Sequence, residues 1–165
     1  MNRRQFIFMM SGAAALLGAP RAGRAECGES TNAEFVEGLY ETQARLLASN
    51  IPLAGDKFYA LFSRALRELM QAPRPHLRDE PIGRLLNAFF GWGIMPGTEV
   101  EIGKVALASG SDDGPATVSV EVKHRGGRHK VWVRVVRENE VWRIANISYD
   151  SGKSLADHYR EITRR

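Results

Sequence analysis

The sequence predicts an α+β fold in which two to three N-terminal helices pack inside a curved, four-stranded antiparallel sheet, with a short helix at the C-terminus. Apolar residues recur at helical spacing between residues 32 and 70, whereas after Gly97 they alternate with a period of two. No internal repeat and no break in composition interrupts residues 32–165. We therefore expect a single domain over that range.

The helical pattern occupies the first half of the chain. The segment "TNAEFVEGLYETQARLLASN" (31–50) begins with a Thr or Asn that can cap a helix, and its apolar residues fall on one helical face. A second helix is predicted from near Asp56 to Pro73, with an apolar stripe at the same spacing. The segment "EPIGRLLNAFFGWG" (80–93) is predicted as a shorter helical turn or two, entered at Pro81.

Four later segments predict an antiparallel meander. They are rich in Val, Ile and Trp, alternate with period two, and are joined by short polar or Gly-containing connections. In chain order they read "TEVEIGKVALAS", "ATVSVEVKH", "HKVWVRVVR" and "VWRIANISY". A turn over residues 150–152 and a final helix from Ser154 to about Thr163 are expected to follow.

The sequence also predicts the register between two strands and the curvature of the sheet. A two-residue turn at Gly126-Gly127 would place Val118 opposite Val135 and His124 opposite His129, with valines of both strands on one face. The side-chain parity changes at Gly103 in the first strand, and again after Ile144 in the last one. Each change predicts a β-bulge, and two bulges predict a strongly curved sheet.

Residues 1–25 are predicted to be an export signal of the twin-arginine type. Arg3 and Arg4, followed by Phe6 and an apolar run, are similar to that signal, and cleavage is expected after Ala25. The apolar run is too short for a stable transmembrane anchor, so only an uncleaved signal would hold the chain at a membrane. We therefore expect the protein in the periplasm.

Charge argues against a nucleic-acid partner. The chain has 23 basic and 19 acidic residues, but four of the arginines lie in residues 1–25, which contain no acid. Without them, 19 basic residues face 19 acidic ones, and a neutral domain lacks the long-range field that attracts nucleic acid.

Residues 26–31 are small and polar and are predicted as a flexible start. Cys27 is the one cysteine, so no internal disulfide is expected.

Aromatic residues between the helices and the sheet are the candidates for a ligand pocket. Phe89, Phe90 and Trp92, together with Tyr149 of the last strand, would suit an apolar small molecule or a lipid if they line an open cavity. The competing interpretation is that they are core residues.

His124 and His129 are the candidate metal pair. Two imidazoles on neighbouring strands can approach closely enough to share one ion. A stable site needs further ligands, however, and Arg125, Arg128 and Lys130 would repel a cation. Solvated histidines at the rim of the sheet are therefore favoured, and no metal or cofactor is predicted.

The polar residues near the C-terminus have two interpretations. Asp150, His158 and Tyr159 could form an acid–base set. Asp-Ser-Gly is also ordinary turn chemistry, and Ser154 with Asp157 three residues later is typical of a helix cap. The second interpretation is favoured. No catalytic residue is assigned, and no nucleophile elbow, phosphate loop or dinucleotide fingerprint occurs.

The stretch "WRIANISY…GKSL" resembles the end of small exported bacterial proteins in the domain-of-unknown-function family numbered three-eight-two-eight. That family often has Asp-Pro and Gln-Asp where this chain has Asn87-Ala88 and Trp92-Gly93, so roles of those acids do not carry over. The layout also resembles the nuclear-transport-factor-2-like and cystatin-like architecture, which implies a cone with an apolar interior. The positions that match the family numbered three-eight-two-eight are Trp142, Arg143, Ile144, Ile147, Tyr149, Gly152, Ser154 and Leu155.

The segment "SLADHYR" is similar to the ending of Mla-type periplasmic phospholipid-shuttling proteins, through Ser154, Leu155, Tyr159 and Arg160. We expect an exported, non-catalytic binding or interaction domain whose partner is an apolar small molecule, a lipid or a periplasmic protein. A periplasmic lipid carrier is one alternative. A small hydratase- or isomerase-like enzyme that uses the cone pocket is the other.

Overall fold

The computed structural model describes residues 30–51, 53, 55–73 and 86–164. The predicted export signal and the first six residues of the helix predicted over 80–93 lie outside the described residues. Within them, no helix is long and apolar enough to cross a bilayer.

Four helices lie in this part of the chain. The first begins at a capping box, since the Thr31 side chain accepts from the N–H of Glu34 and the Glu34 carboxylate accepts from the N–H of Thr31. The carbonyl of Ser30 accepts from the Trp142 indole at 2.8 Å, so the end of the segment predicted as flexible is held by hydrogen bonds. The helices are α1 (Asn32–Ala48), α2 (Gly55–Tyr59), α3 (Arg64–Gln71) and α4 (Leu155–Arg164).

The second predicted helix is divided into α2 and α3. Between them, Leu61 and Ser63 bond through their backbones to Ile144 of the last strand, at 2.9 and 2.8 Å. This pairing takes backbone groups that a continuous helix would need for itself. The Ser63 hydroxyl then accepts from the N–H of Leu66, and α3 begins.

The sheet confirms the predicted α+β fold class. Four antiparallel strands follow one another in chain order, as a meander requires. A separate pair of two-residue strands precedes them. The strands are β1 (Leu86–Asn87), β2 (Gly91–Trp92), β3 (Val100–Gly110), β4 (Ala116–His124), β5 (Gly127–Glu138) and β6 (Val141–Tyr149).

The faces of the sheet are as predicted, but the β4–β5 register is not. The turn is Arg125-Gly126, so His124 lies opposite Gly127, and Val118 lies opposite Val133. The predicted pairing is wrong by two residues. A shift of two keeps every side chain on its face, so the valine pattern does not distinguish the two registers.

Both predicted bulges are present. The β3–β4 register shifts between Ile102 and Val105, around Gly103. The β5–β6 register shifts between Arg134 and Val135, where β6 contributes one extra residue. A third shift occurs near the end of β3. Bulges increase local twist and bend strands, which explains the curvature of the sheet.

The helix predicted over 80–93 is wrong for its described part. Residues 86–92 form a small antiparallel hairpin, with a turn at residues 88–90. The Asn87 side-chain oxygen accepts from the N–H groups of Phe89 (3.0 Å) and Phe90 (3.2 Å). Such local bonds compete with helix formation. Gly91 follows with a φ of 87°, which a helix does not adopt.

The core lies between the helices and one face of the sheet. The six inward valines of β4 and β5 have no exposed surface, and Trp142 and Ile144 of β6 are buried. Helix α1 packs on β3 and β4, while α3 and α4 pack on β6 and on each other. The other face of the sheet carries half-buried and exposed side chains. The largest fully buried residues include Tyr40, Phe62, Phe90, Ile144, Ile147 and Leu155.

Candidate binding site

Three side chains from three elements hold the turn at residues 88–90. The carbonyl of residue 88 accepts from the Tyr149 hydroxyl at 2.7 Å, and that of residue 89 from the Tyr40 hydroxyl at 3.0 Å. The carbonyl of residue 90 lies 2.8 Å from Nε2 of His129, which donates to it. The turn is thereby fixed to α1, β5 and β6 together.

Phe89 and Phe90 point into the aromatic part of the core. Their exposed fractions are 4% and 1%. Both rings pack edge-on against Tyr40, with centroids 6.1 and 5.7 Å away, and Phe89 also stacks on Phe62 at 6.0 Å. These contacts are those of core residues. A role for either ring in ligand binding stays a prediction.

The other two pocket candidates differ in how far their side chains are exposed to solvent. Tyr149 is 5% exposed, whereas Trp92 is 46% exposed, with its ring 5.3 Å from that of His158. Gly91, between them, lies against the Tyr149 ring, where a Cβ would be 3.2 Å from Cδ1. None of the four candidate residues lines the groove between the C-terminal half of α1 and the rim of the sheet.

Within the described part of the chain, the titratable side chains of the hydrophobic core are Tyr40 and Tyr149. Burial raises the pKa of Tyr40, and the nearby Tyr149 raises it further. Burial also raises the pKa of Tyr149, with a smaller contribution from Tyr159. Both hydroxyls therefore stay protonated near neutral pH and act as donors to backbone carbonyls. Among residues 30–163 of the described ranges, no Asp, Glu, His, Lys or Arg is equally buried.

A groove of about 530 Å³ lies between the C-terminal half of α1 and the rim of the sheet. Ala44 and Ala48 supply its α1 side, one helical turn apart, and Val100 supplies the apolar part of the opposite wall. Ala44 is buried, Val100 is half-buried and Ala48 is exposed, so the apolar surface runs from the core out to solvent.

Charged groups of both signs surround the groove. Arg45 projects from α1, Glu99 and Glu101 from the start of β3, and Lys123 and His124 from the end of β4. The Lys123 ammonium donates to Glu101 at 2.8 Å, and that bond raises its pKa. Two cations and two carboxylates thus offset each other beside one imidazole.

The two histidines are close, although their register differs from the prediction. Val122, not His124, lies opposite His129, but the two imidazole centroids are 5.4 Å apart. Nδ1 of His124 accepts from the N–H of Gly126 at 3.1 Å, and Nε2 of His129 donates to the residue-90 carbonyl. Among the described residues, no group of three or more His, Cys, Asp or Glu is arranged to hold a metal. A metal role for the pair stays a prediction.

The C-terminal polar residues form the predicted turn and cap. The Asp150 carboxylate accepts from the N–H of Lys130 at 2.9 Å, and Gly152 adopts a φ of 79°. The Ser154 hydroxyl donates to the Asp157 carboxylate at 2.7 Å and accepts from its N–H at 3.2 Å. The bond from Ser154 lowers the pKa of Asp157. These residues form the turn and the helix cap that connect β6 to α4.

Sequence reasoning named one groove residue, His124, and missed the rest. The segment "TEVEI" alternates two glutamates with Val100, which is the pattern of a strand with one wet face. Arg45 and Ala48 likewise lie on a helix. Neither pattern says that the helix and the strand share a groove.

No family model and no curated protein matches the chain. A phospholipid-binding protein from Ralstonia solanacearum, solved in complex with a phospholipid, aligns at a TM-score of 0.38 and 15% identity. The alignment covers 79% of this chain and 69% of that one. At that TM-score the likeness does not establish a shared fold or a shared ligand.

Proposed function

We propose that this chain is an exported, non-catalytic binding protein that holds a small zwitterionic amphiphile in the groove between α1 and the ends of β3 and β4. The observation that supports this is the groove itself. Its volume of about 530 Å³ suits a small ligand. Its walls combine an apolar strip with charges of both signs.

The lining argues for the class of ligand. A wholly apolar ligand would take Arg45 and Glu99 out of water without giving them partners, which is unfavourable. A simple ion would gain nothing from Ala48 and Val100. A molecule with a compact apolar part and two opposite charges matches both features.

The proposed location is the periplasm. Arg3, Arg4 and Phe6 support export by the twin-arginine route. Replacing both arginines by lysine should retain the full-length chain in the cytoplasm, as cell fractionation would show. Export of that variant at the normal rate would contradict the proposed route.

A carrier of longer acyl chains is the second candidate. The apolar interior of a cystatin-like, nuclear-transport-factor-2-like cone would be its site, and the aromatic cluster around Phe89 and Phe90 supports that choice. Both rings are buried, so the turn at residues 88–90 would have to leave the core to admit a chain. Native mass spectrometry of the processed protein from cells distinguishes the candidates, because a carrier should retain lipid.

A groove-filling variant tests the zwitterion site. Ala48→Trp places an indole in the groove, and Glu37→Trp places one on the exposed side of the same helix. A zwitterionic amphiphile such as a short-chain lysophosphatidylcholine, at about 100 times its Kd, should stabilise the wild-type protein by about 2.7 kcal/mol. The resulting rise in Tm should persist in Glu37→Trp and disappear in Ala48→Trp. An equal rise in both variants would place the ligand elsewhere.

A further inference from the structure

The sheet face that turns away from the core carries a basic strip. Its members are Arg128, Lys130 and Arg134 of β5 and Arg143 of β6. In the described part of the chain, none of these four side chains has a carboxylate within ion-pair distance. Three of them are exposed and Arg143 is half-buried.

The alternation of side chains along β5 places the strip on the face of the sheet that turns away from the core. Val131, Val133 and Val135 are fully buried, so the β5 residues between them project from the opposite face. Trp132 lies among the cations of β5 on that face and is half-buried. At about 3.3 Å per residue, Arg128 and Arg134 are roughly 20 Å apart along the strand.

Acids flank this strip on both sides and at one end. Glu138, four residues beyond Arg134 on β5, accepts from the backbone N–H of Arg64. Glu121 is directly opposite Lys130, and Glu101 is engaged by Lys123. Asp150, beyond the end of β6, accepts from the backbone of Lys130.

Arg134 has only uncharged cross-strand neighbours, Thr117 on β4 and Asn146 on β6. Arg143 lies opposite Val136. Trp132 likewise has uncharged cross-strand neighbours, Ser119 and Ser148, so the positive charge is least offset around Trp132 and Arg134.

We propose that the basic strip and Trp132 form a docking surface for an anionic lipid bilayer. A bilayer offers a plane of phosphate groups that can meet several cations about 20 Å apart at once. An indole suits the boundary between headgroups and acyl chains. A second copy of the chain would oppose cations to cations through the same face, which is unfavourable.

This surface is separate from the groove, because neither its four cations nor Trp132 line the groove. It would bring an exported binding protein to the membrane whether or not the groove is filled. Failure of the ligand experiment therefore leaves this proposal standing, and the reverse also holds.

Vesicle co-sedimentation tests the docking surface. The processed protein from cells is mixed with vesicles of phosphatidylglycerol and phosphatidylcholine in equal parts, or of phosphatidylcholine alone. It should bind the anionic vesicles and not the neutral ones. Binding should weaken when sodium chloride rises from about 50 mM to about 300 mM, because salt screens the attraction.

Charge removal supplies the residue-level test. Arg134→Gln and Arg143→Gln should each weaken binding to anionic vesicles about fivefold, the effect expected of one basic residue near such a surface. Lys57→Gln, at an exposed position of α2, should leave binding unchanged. Thermal melts check that all three variants fold.

Three results would overturn the proposal: no binding to anionic vesicles, equal binding to neutral ones, or an equal loss in Lys57→Gln. Binding to polyglutamate that depends on Arg134, without binding to vesicles, would assign the face to an acidic protein instead.

Discussion

Replacing Val133 by Asp should prevent the domain from folding at neutral pH. Val133 lies on the inner face of the sheet, between Val118 of β4 and Ile147 of β6. All three side chains have no exposed surface. A carboxyl group at this position would be surrounded by aliphatic side chains.

The expected cost has three parts. Loss of the buried valine costs about 1.5–3 kcal/mol. Keeping the carboxyl protonated at pH 7, about three pH units above its ordinary pKa, costs about 4 kcal/mol. Burying the neutral carboxyl without a full set of hydrogen bonds costs about 1–3 kcal/mol more. The total of about 7–10 kcal/mol is comparable to the whole stability of a typical domain, about 5–15 kcal/mol.

Arg134→Asp is the matched control, since it changes the next residue, which is exposed on the opposite face. We expect a change within about 0.5 kcal/mol in urea or thermal unfolding followed by circular dichroism.

The pH dependence gives a second check on Val133→Asp. Burial raises the folded-state pKa of the new carboxyl, so stability is lost as pH rises above about 4, the unfolded-state value. The deficit should therefore shrink toward pH 4. Equal tolerance of the two substitutions, or a deficit that grows toward low pH, would show that the assigned faces are wrong.

Three further substitutions test contacts around the turn and the last helix. Tyr149→Phe should cost about 1–2 kcal/mol, because it leaves a part-buried carbonyl without its donor, whereas Tyr59→Phe, at a half-buried ring, should cost little. Since burial raises the pKa of Tyr149, the wild-type protein should lose stability as pH rises above about 10, and Tyr149→Phe should lose less. Gly91→Ala should destabilise more than Gly93→Ala, because both have positive φ but only the first Cβ meets a ring at 3.2 Å. Ser154→Ala should cost about 1 kcal/mol in urea unfolding, since it removes the cap of α4.

Each of these has a contrary outcome in the same unfolding measurements. Equal losses in the two tyrosine variants, or parallel alkaline profiles of wild type and Tyr149→Phe, would show that the buried hydroxyl has no special role. Equal effects at the two glycines would mean that the ring contact is relieved freely. An unchanged Ser154→Ala variant would mean that the helix start is held by tertiary contacts instead.

The C-terminal half shows how far periodicity alone reaches. Alternation of valines identified the strands, their buried face and the parity changes that mark the bulges at Gly103 and after Ile144. It could not choose between registers that differ by two residues, because both bury the same valines. The turn at Arg125-Gly126 makes that choice.

The hairpin over residues 86–92 shows where local pattern fails. An apolar run beside Asn87 is compatible with a helix or a turn. The structure has the turn, because the Asn87 side chain accepts hydrogen bonds from two backbone N–H groups. In addition, three side chains distant in the sequence donate to the carbonyls of residues 88, 89 and 90. Those partners come from α1, β5 and β6, far away in the chain.

Local patterns determined the elements and their buried faces, since alternation, capping residues and turn residues act within a few positions of the chain. The C-terminal turn and the Ser154 cap belong to this class. The groove does not, because Arg45, Glu99 and Lys123 lie on separate elements, and no local pattern in the sequence records how closely they approach. Packing of α1 against the rim of the sheet brings them together, and the same packing leaves the basic strip on the opposite face open to solvent.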